Sequence, residues 1–155
     1  MNSKKTISAV LLALLFALML TSCTTHSTMS FTFNVETGDC IKVDLDTSNG
    51  LTLSQENGEF HVKNGDQKIL DGIFTTKENY DSYMGLKDTD AMNVIEEGKT
   101  GNNNDYLFYE CESDLGTEYD FIVWVEGSNT GVLVGSLTDQ ETAKNAFDSL
   151  TISLE

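Results

Sequence analysis

Outside its first thirty or so residues, this chain has few side chains able to do nucleophilic, redox or metal chemistry: two cysteines, Cys40 and Cys111, and one histidine, His61. His61 stands between Phe60 and Val62, so strand alternation turns its ring to the opposite, wetter face. Neither Cys-x-x-Cys nor His-x-x-x-His occurs, and no Gly-x-Ser-x-Gly marks a strained nucleophile turn. A Ser-His-Asp set drawn from distant positions stays compatible with the sequence, because such triads are defined by geometry and not by spacing. Asp44-x-Asp46-x-Ser48 alternates oxygens as the start of a calcium loop does. That loop wants Gly at its sixth position and Glu at its twelfth, and Asn49 and Gln55 stand there. Gly98-Lys99-Thr100 has the ending of a phosphate-cradling glycine loop. Asn93 occupies the place of the required first Gly, and Glu96 and Glu97 would repel phosphate. The expectation is no catalytic residue, no metal site and no cofactor.

The elements that must carry these residues are mostly strands. Phe31, Phe33 and Val35 alternate with polar residues, as do Ile41, Val43 and Leu45, and both runs read as half-buried strands. Thr47-Ser48-Asn49-Gly50 turns the chain into a short strand with Leu51 and Leu53, and Asn64-Gly65 is a hairpin signal after Phe60 and Val62. The returning strand holds Ile69, Leu70, Ile73 and Phe74. Thr75 and Glu78 have capping-box spacing, ahead of a helix with Tyr80, Tyr83 and Met84 on one face. Residues 98–105 read as a polar, mobile loop. Residues 106–111 and 119–126 are strong strands, joined through Ser113-Asp114-Leu115-Gly116, and Val132-Leu133-Val134 continues the sheet. Their aromatics, Tyr106, Phe108, Tyr109, Phe121 and Trp124, are better read as core than as a ligand groove. A second capping box, Thr138 with Glu141, opens a helix whose Ala143, Ala146, Phe147 and Leu150 form a core-facing stripe, and residues 151–155 close as a strand. This order predicts an α+β fold, an antiparallel β-sheet sandwich with a central and a C-terminal helix. Its last quarter, two strands, a helix and Phe147-x-x-Leu150-x-Ile152, resembles the end of PsbP-like domains, which implies a scaffold used for binding and assembly. Another small α+β or mainly-β lipoprotein domain is the alternative.

The beginning of the chain has a different character. Lys4 and Lys5 precede an uncharged apolar run over residues 7–20, which at 14 residues is short for a membrane span of about 20. A charged start, a short apolar core and small residues after it read as an export signal. Leu20-Thr21-Ser22-Cys23 resembles the lipobox of bacterial lipoprotein signal peptides. That resemblance implies lipidation of Cys23, cleavage before it, and anchoring at the extracytoplasmic side of the cell membrane; an ordinary secretory signal is the alternative. The expected divisions are a signal peptide over 1–22, the lipidated Cys with a polar tether over 23–29, and one globular domain over 30–155. Export permits a disulfide between Cys40 and Cys111, though two separate buried thiols fit equally well.

Charge narrows the partners. The chain has a net charge of −16, and removal of Lys4 and Lys5 with the signal would take it to −18. Such a domain gains no counterion release on nucleic acid and is repelled by it. The expected function is a non-enzymatic, membrane-anchored domain that binds an envelope protein or ligand. A small-ligand or cation-binding domain is the second reading, and a hydrolase acting on envelope material the third.

Overall fold

The computed structural model describes residues 27–155; the expected export signal and the expected lipidation site Cys23 lie outside them. The fold is α+β: two antiparallel sheets and, among the described residues, two helices. The small sheet has the order β1 (Thr28–Asn34), β2 (Cys40–Asp46), β10 (Leu150–Leu154). Its middle strand, β2, buries Ile41, Val43 and Leu45 completely and leaves the residues between them half-exposed, as period-two alternation requires. Thr28 and Met29 already pair with Asp46 and Leu45, so the first strand begins inside the expected tether.

The large sheet has seven strands in the order β3 (Leu51–Glu56), β4 (Glu59–Asn64), β5 (Gln67–Thr76), β9 (Thr130–Gly135), β8 (Gly116–Trp124), β7 (Asp105–Ser113), β6 (Asn93–Lys99). It is two meanders joined along β5 and β9. Asn57-Gly58 is a two-residue hairpin turn between Glu56 and Glu59, with φ of +52° and +84°, the left-handed pair that Asn-Gly favours. At the next hairpin the loop residues are Gly65 and Asp66, between the paired Asn64 and Gln67. Gly72 on β5 faces Phe60 across the ladder, and a Cβ there would stand 2.0 Å from the ring, so the glycine is what lets Phe60 lie flat on β5.

Helix α1 (Lys77–Met84) follows β5, and α2 (Gln140–Asp148) connects β9 to β10. Both N-caps fall one residue later than the capping-box spacing implied. Thr76 caps α1, its Oγ1 accepting from Asn79 N, because β5 stays paired with β9 through Thr76 and the helix starts at Lys77. Asp139 caps α2, accepting from Thr142 N at 3.0 Å, while the Thr138 hydroxyl is bonded to Ser136. Leu150 does not belong to the helical stripe; it opens β10 opposite Leu45.

The large sheet is covered on both faces. One face shares the main core with the small sheet and α2, where Phe108, Phe121 and Phe147 stack at centroid distances of 4.3 and 3.9 Å. The other holds Met92, Leu107, Tyr109 and Ile122 under Tyr80 and Met84 of α1. This double cover explains why β7 and β8 bury consecutive residues.

The loop expected over 98–105 is confined to residues 100–104. Gly98 and Lys99 end β6, and Asp105 begins β7. Between them Asn104 is 1% exposed. Its Nδ2 donates to Ile152 O at 2.7 Å and its Oδ1 accepts from Glu126 N at 2.9 Å, while Asn102 also donates to Ile152 O. Burial of this polar segment is cheap because its amides satisfy backbone groups of both sheets. At another junction Asp39 accepts from Thr130 Oγ1 and Asn129 N, both at 2.7 Å, and these bonds hold its carboxyl below the usual range.

Candidate functional site

On the α1 side of the large sheet, β8 alternates Glu118, Asp120, Ile122 and Trp124 on one face. Ile122 and Trp124 are roofed by α1 and its neighbours, Trp124 meeting Tyr80 at 5.0 Å. Asp120 lies beyond the end of that roof, at the floor of a cavity of about 400 Å³. The register places Tyr109 directly opposite it on β7. Tyr109 Oη donates to Asp120 Oδ2 at 3.2 Å, Cys111 Sγ to the same oxygen at 3.7 Å, and Ser136 N to Oδ1 at 3.3 Å. Gly135 on β9 is the nearest backbone beside it; a Cβ there would stand 3.3 Å from Oδ1, so the absent side chain keeps the carboxylate open to the cavity.

Burial is the main force on this cluster. It pushes the Asp120 carboxyl up to about 6, with the nearby Glu118 charge adding to the effect and the three donors opposing it. Burial and the Asp120 charge likewise push the Cys111 thiol up to about 11 and hold the Tyr109 phenol protonated. A thiol in that state is a weak nucleophile at neutral pH. Among the described residues no lysine pairs with Asp120. Lys68, at the cavity edge, pairs with Asp71 at 3.0 Å.

The rim is apolar. Ile73 of β5, Tyr83 of α1, Leu115 of the β7–β8 turn and Leu137 after β9 all line the opening and are all exposed, Leu115 by 77% and Leu137 by 58%. Four of the seven large apolar side chains exposed among the described residues therefore surround one cavity. Such convergence of apolar walls on a few hydrogen-bonding groups is the usual make-up of a small-molecule site.

The residues singled out from the sequence fall elsewhere. His61 is on the face opposite Phe60 and Val62, yet it is 8% exposed and not on a wet surface. Its Nδ1 meets Asp71 Oδ1 at 2.5 Å across the β4–β5 ladder. Ser54 is its cross-strand neighbour on β3, so Ser54, His61 and Asp71 form one transverse row. Ser54 Oγ is buried and makes no hydrogen bond, so this row is not an engaged triad. Cys40 and Cys111 are both free thiols on separate sheets, Cys40 near Asn34 Oδ1 and Glu155 Oε2, Cys111 on Asp120. Asp44 pairs with Lys42 at 3.0 Å, and Asp46 Oδ1 accepts from Ser48 N at 2.9 Å, a strand pair and a turn. Among the described residues no three His, Cys, Asp or Glu side chains are grouped to hold a metal. Lys99 pairs with Asp105 at 2.7 Å at the end of β6. Of the five strand aromatics, Tyr109 and Phe121 line the cavity.

Asp120 was hidden in the sequence because Glu118 and Asp120 alternate with Tyr119 and Phe121 like any solvated strand face. Two signals pointed to it: large apolar residues on both faces of β8, and Leu115 in a turn position that normally holds a polar residue. No helix among the described residues is long and apolar enough to cross a membrane. Comparison with protein-family models gives no match, and comparison with curated proteins gives none either.

Proposed function

We propose that this chain is a bacterial lipoprotein, anchored through lipid on Cys23 at the extracytoplasmic face of the cell membrane, whose acidic domain binds and does not catalyse. The Asp120 cavity is its binding site. The observation that carries the binding role is the conjunction of a largely buried carboxylate without an ion-pair partner and a rim of exposed apolar side chains. The anchor rests on the lipobox-like Leu20-Thr21-Ser22-Cys23 after the short apolar run. Fully extended, the stretch from Cys23 to Ser27 reaches at most roughly 14 Å at about 3.4 Å per residue, which keeps a domain anchored at Cys23 close to the bilayer. The finer fold reading, a PsbP-like domain, is supported by the order β8, β9, α2, β10 and by Phe147, Ala143 and Ala146 packing into the core. A scaffold of that kind suits binding or assembly in the envelope. The hydrolase reading has Ser54, His61 and Asp71 in one row, but a sealed serine without a base on its hydroxyl favours binding over it.

Two measurements test this. Cells fed a labelled fatty acid should label the wild-type protein and not Cys23→Ala, which should accumulate as precursor; labelled Cys23→Ala protein would sink the anchor. The full chain, ¹⁵N-labelled and titrated with a small-molecule extract of the envelope, should show amide shifts clustered at Gly135, Ser136 and Leu137. Shifts confined to another face would remove the cavity as the binding site.

A further inference from the structure

We infer that the Asp120 cavity takes an organic ammonium group carried on an apolar body, the ammonium on the Asp120 carboxylate and the body against Leu115, Leu137, Ile73 and Tyr83. This rests on the reading of the cavity as a binding site and adds the chemical class of its ligand.

The charge argument comes first. Every partner of Asp120 is a neutral donor: a phenol, a thiol and a backbone N–H. Neutral donors orient a carboxylate but leave its charge uncompensated in a sheltered site, where an opposite charge is felt strongly. The charged groups around it deepen the negative field. Glu118 lies on the same face of β8, and Asp71 lies across Gly135 on β5. Lys68 is taken up by Asp71. Anions are thus repelled, and a cation is drawn to the floor.

The lining then separates organic cations from metal ions. A hard cation needs about six oxygens at close range. The groups bonded to Asp120 are a phenol, a thiol and a backbone N–H, and among the described residues no three His, Cys, Asp or Glu side chains are grouped to begin that shell. An ammonium needs two or three acceptors and brings its own apolar stem, which the rim can cover. A volume of about 400 Å³ matches a compact amine. Gly135 leaves the approach to Oδ1 free, where any larger residue would put a methyl over it.

Binding would also depend on pH. The ammonium pairs with the ionised carboxylate, and the carboxyl of Asp120 ionises near pH 6. Affinity should therefore rise as pH increases from 5 to 7.5. The other groups facing the site are Glu118 on β8, Tyr109 and Cys111 on β7, Asp71 with Lys68 and His61 beside it, and Tyr83 on α1. Of these, Tyr109 and Cys111 stay protonated throughout that range.

The test uses the full chain in lipid nanodiscs, ¹⁵N-labelled, titrated with benzylamine, benzyl alcohol and benzoate. The Ser136 amide donates directly to Asp120 and is the natural reporter. Benzylamine should shift Gly135 and Ser136 saturably at pH 7.5 and several-fold more weakly at pH 5. Asp120→Asn should weaken it by roughly tenfold or more, the usual loss for a hydrogen bond to a charged group. Gly135→Ala, which crowds the carboxylate without removing its charge, should weaken it as well and serves if Asp120→Asn does not fold. Benzyl alcohol or benzoate binding as well as the amine, or no loss in either variant, would overturn the ammonium assignment while leaving a binding cavity. No shift at Gly135 or Ser136 with any probe would overturn both.

Discussion

Asp120 is a residue the fold keeps at a thermodynamic disadvantage. Burial raises its carboxyl from the ordinary aspartate value of 3.8 to about 6. Between about pH 4 and pH 6 the folded chain therefore holds a proton that the unfolded chain has released. Stability must fall as pH rises through that window, and the full penalty is present above it. Two units correspond to about 3 kcal/mol at most, less after solvent relaxation. Asp120→Asn keeps the acceptor for Ser136 N and removes the charge. It should be more stable than wild type by about 1–3 kcal/mol at pH 7.5, with little gain at pH 4. Urea denaturation of both proteins at the two pH values checks this; an equal effect at both would show that the charge is not responsible. A position where loss of charge stabilises the protein is one where function, and not folding, explains the carboxylate.

At the scale of elements, two contacts determine how strands meet. Gly72 lets the fully buried Phe60 ring cross β5, and an added Cβ would overlap it at 2.0 Å. Neither side can yield easily, since the ring lies against Phe33 and Phe74. Gly72→Ala should lose about 3 kcal/mol, as overpacked cores do. Asn104 is the second contact, bridging β10 of the small sheet to Glu126 after β8 of the large one. Asn104→Ala takes the acceptor from Glu126 N while Asn102 still donates to Ile152 O, and should lose about 1–2 kcal/mol. Thermal melts of the two variants measure both effects. The hydrogen-exchange pattern separates them: Asn104→Ala should expose β10 first, whereas Gly72→Ala should expose the β4–β5 pair. A silent Asn104→Ala would mean that the Asn104 bridge does not help to hold the sheets together.

The whole molecule draws its stability from a core that runs from the small sheet through α2 to the far strands of the large sheet, with the smaller cluster under α1 behind it. Both thiols are free, and six lysines form ion pairs at the surface, which add little each. Cooperative unfolding in chelator is therefore expected, with a midpoint that reductant does not move. A large fall on adding reductant would mean a Cys40–Cys111 bridge forms after all, and loss of cooperativity in chelator would mean a metal contributes.

What the sequence by itself determined is whatever depends on neighbours a few residues apart. Period-two alternation located β1 and β2, apolar runs between turn signals located β7, β8 and β9, and helical spacing located the Ala143, Ala146 and Phe147 stripe of α2, because those patterns arise from single-element geometry. The expectation of an export signal and a lipidated Cys23 rests on local chemistry of the same kind. The Asn57-Gly58 turn is legible in the sequence as well as Asn64-Gly65. Tertiary structure decided the rest. The two cap positions lie one residue later because β5 stays paired with β9 through Thr76, which starts α1 at Lys77, and because a Ser136 bond occupies Thr138. Asn104 became a buried bracket only when β10 came to lie within reach of its amide. Asp120 became a sheltered carboxylate only because α1 stops short of it, while Leu115 and Leu137, 22 positions apart in the chain, close around it from two connections. No local pattern encodes that meeting, since the desolvation that raises the Asp120 pKa belongs to the assembled sheet and not to any one strand.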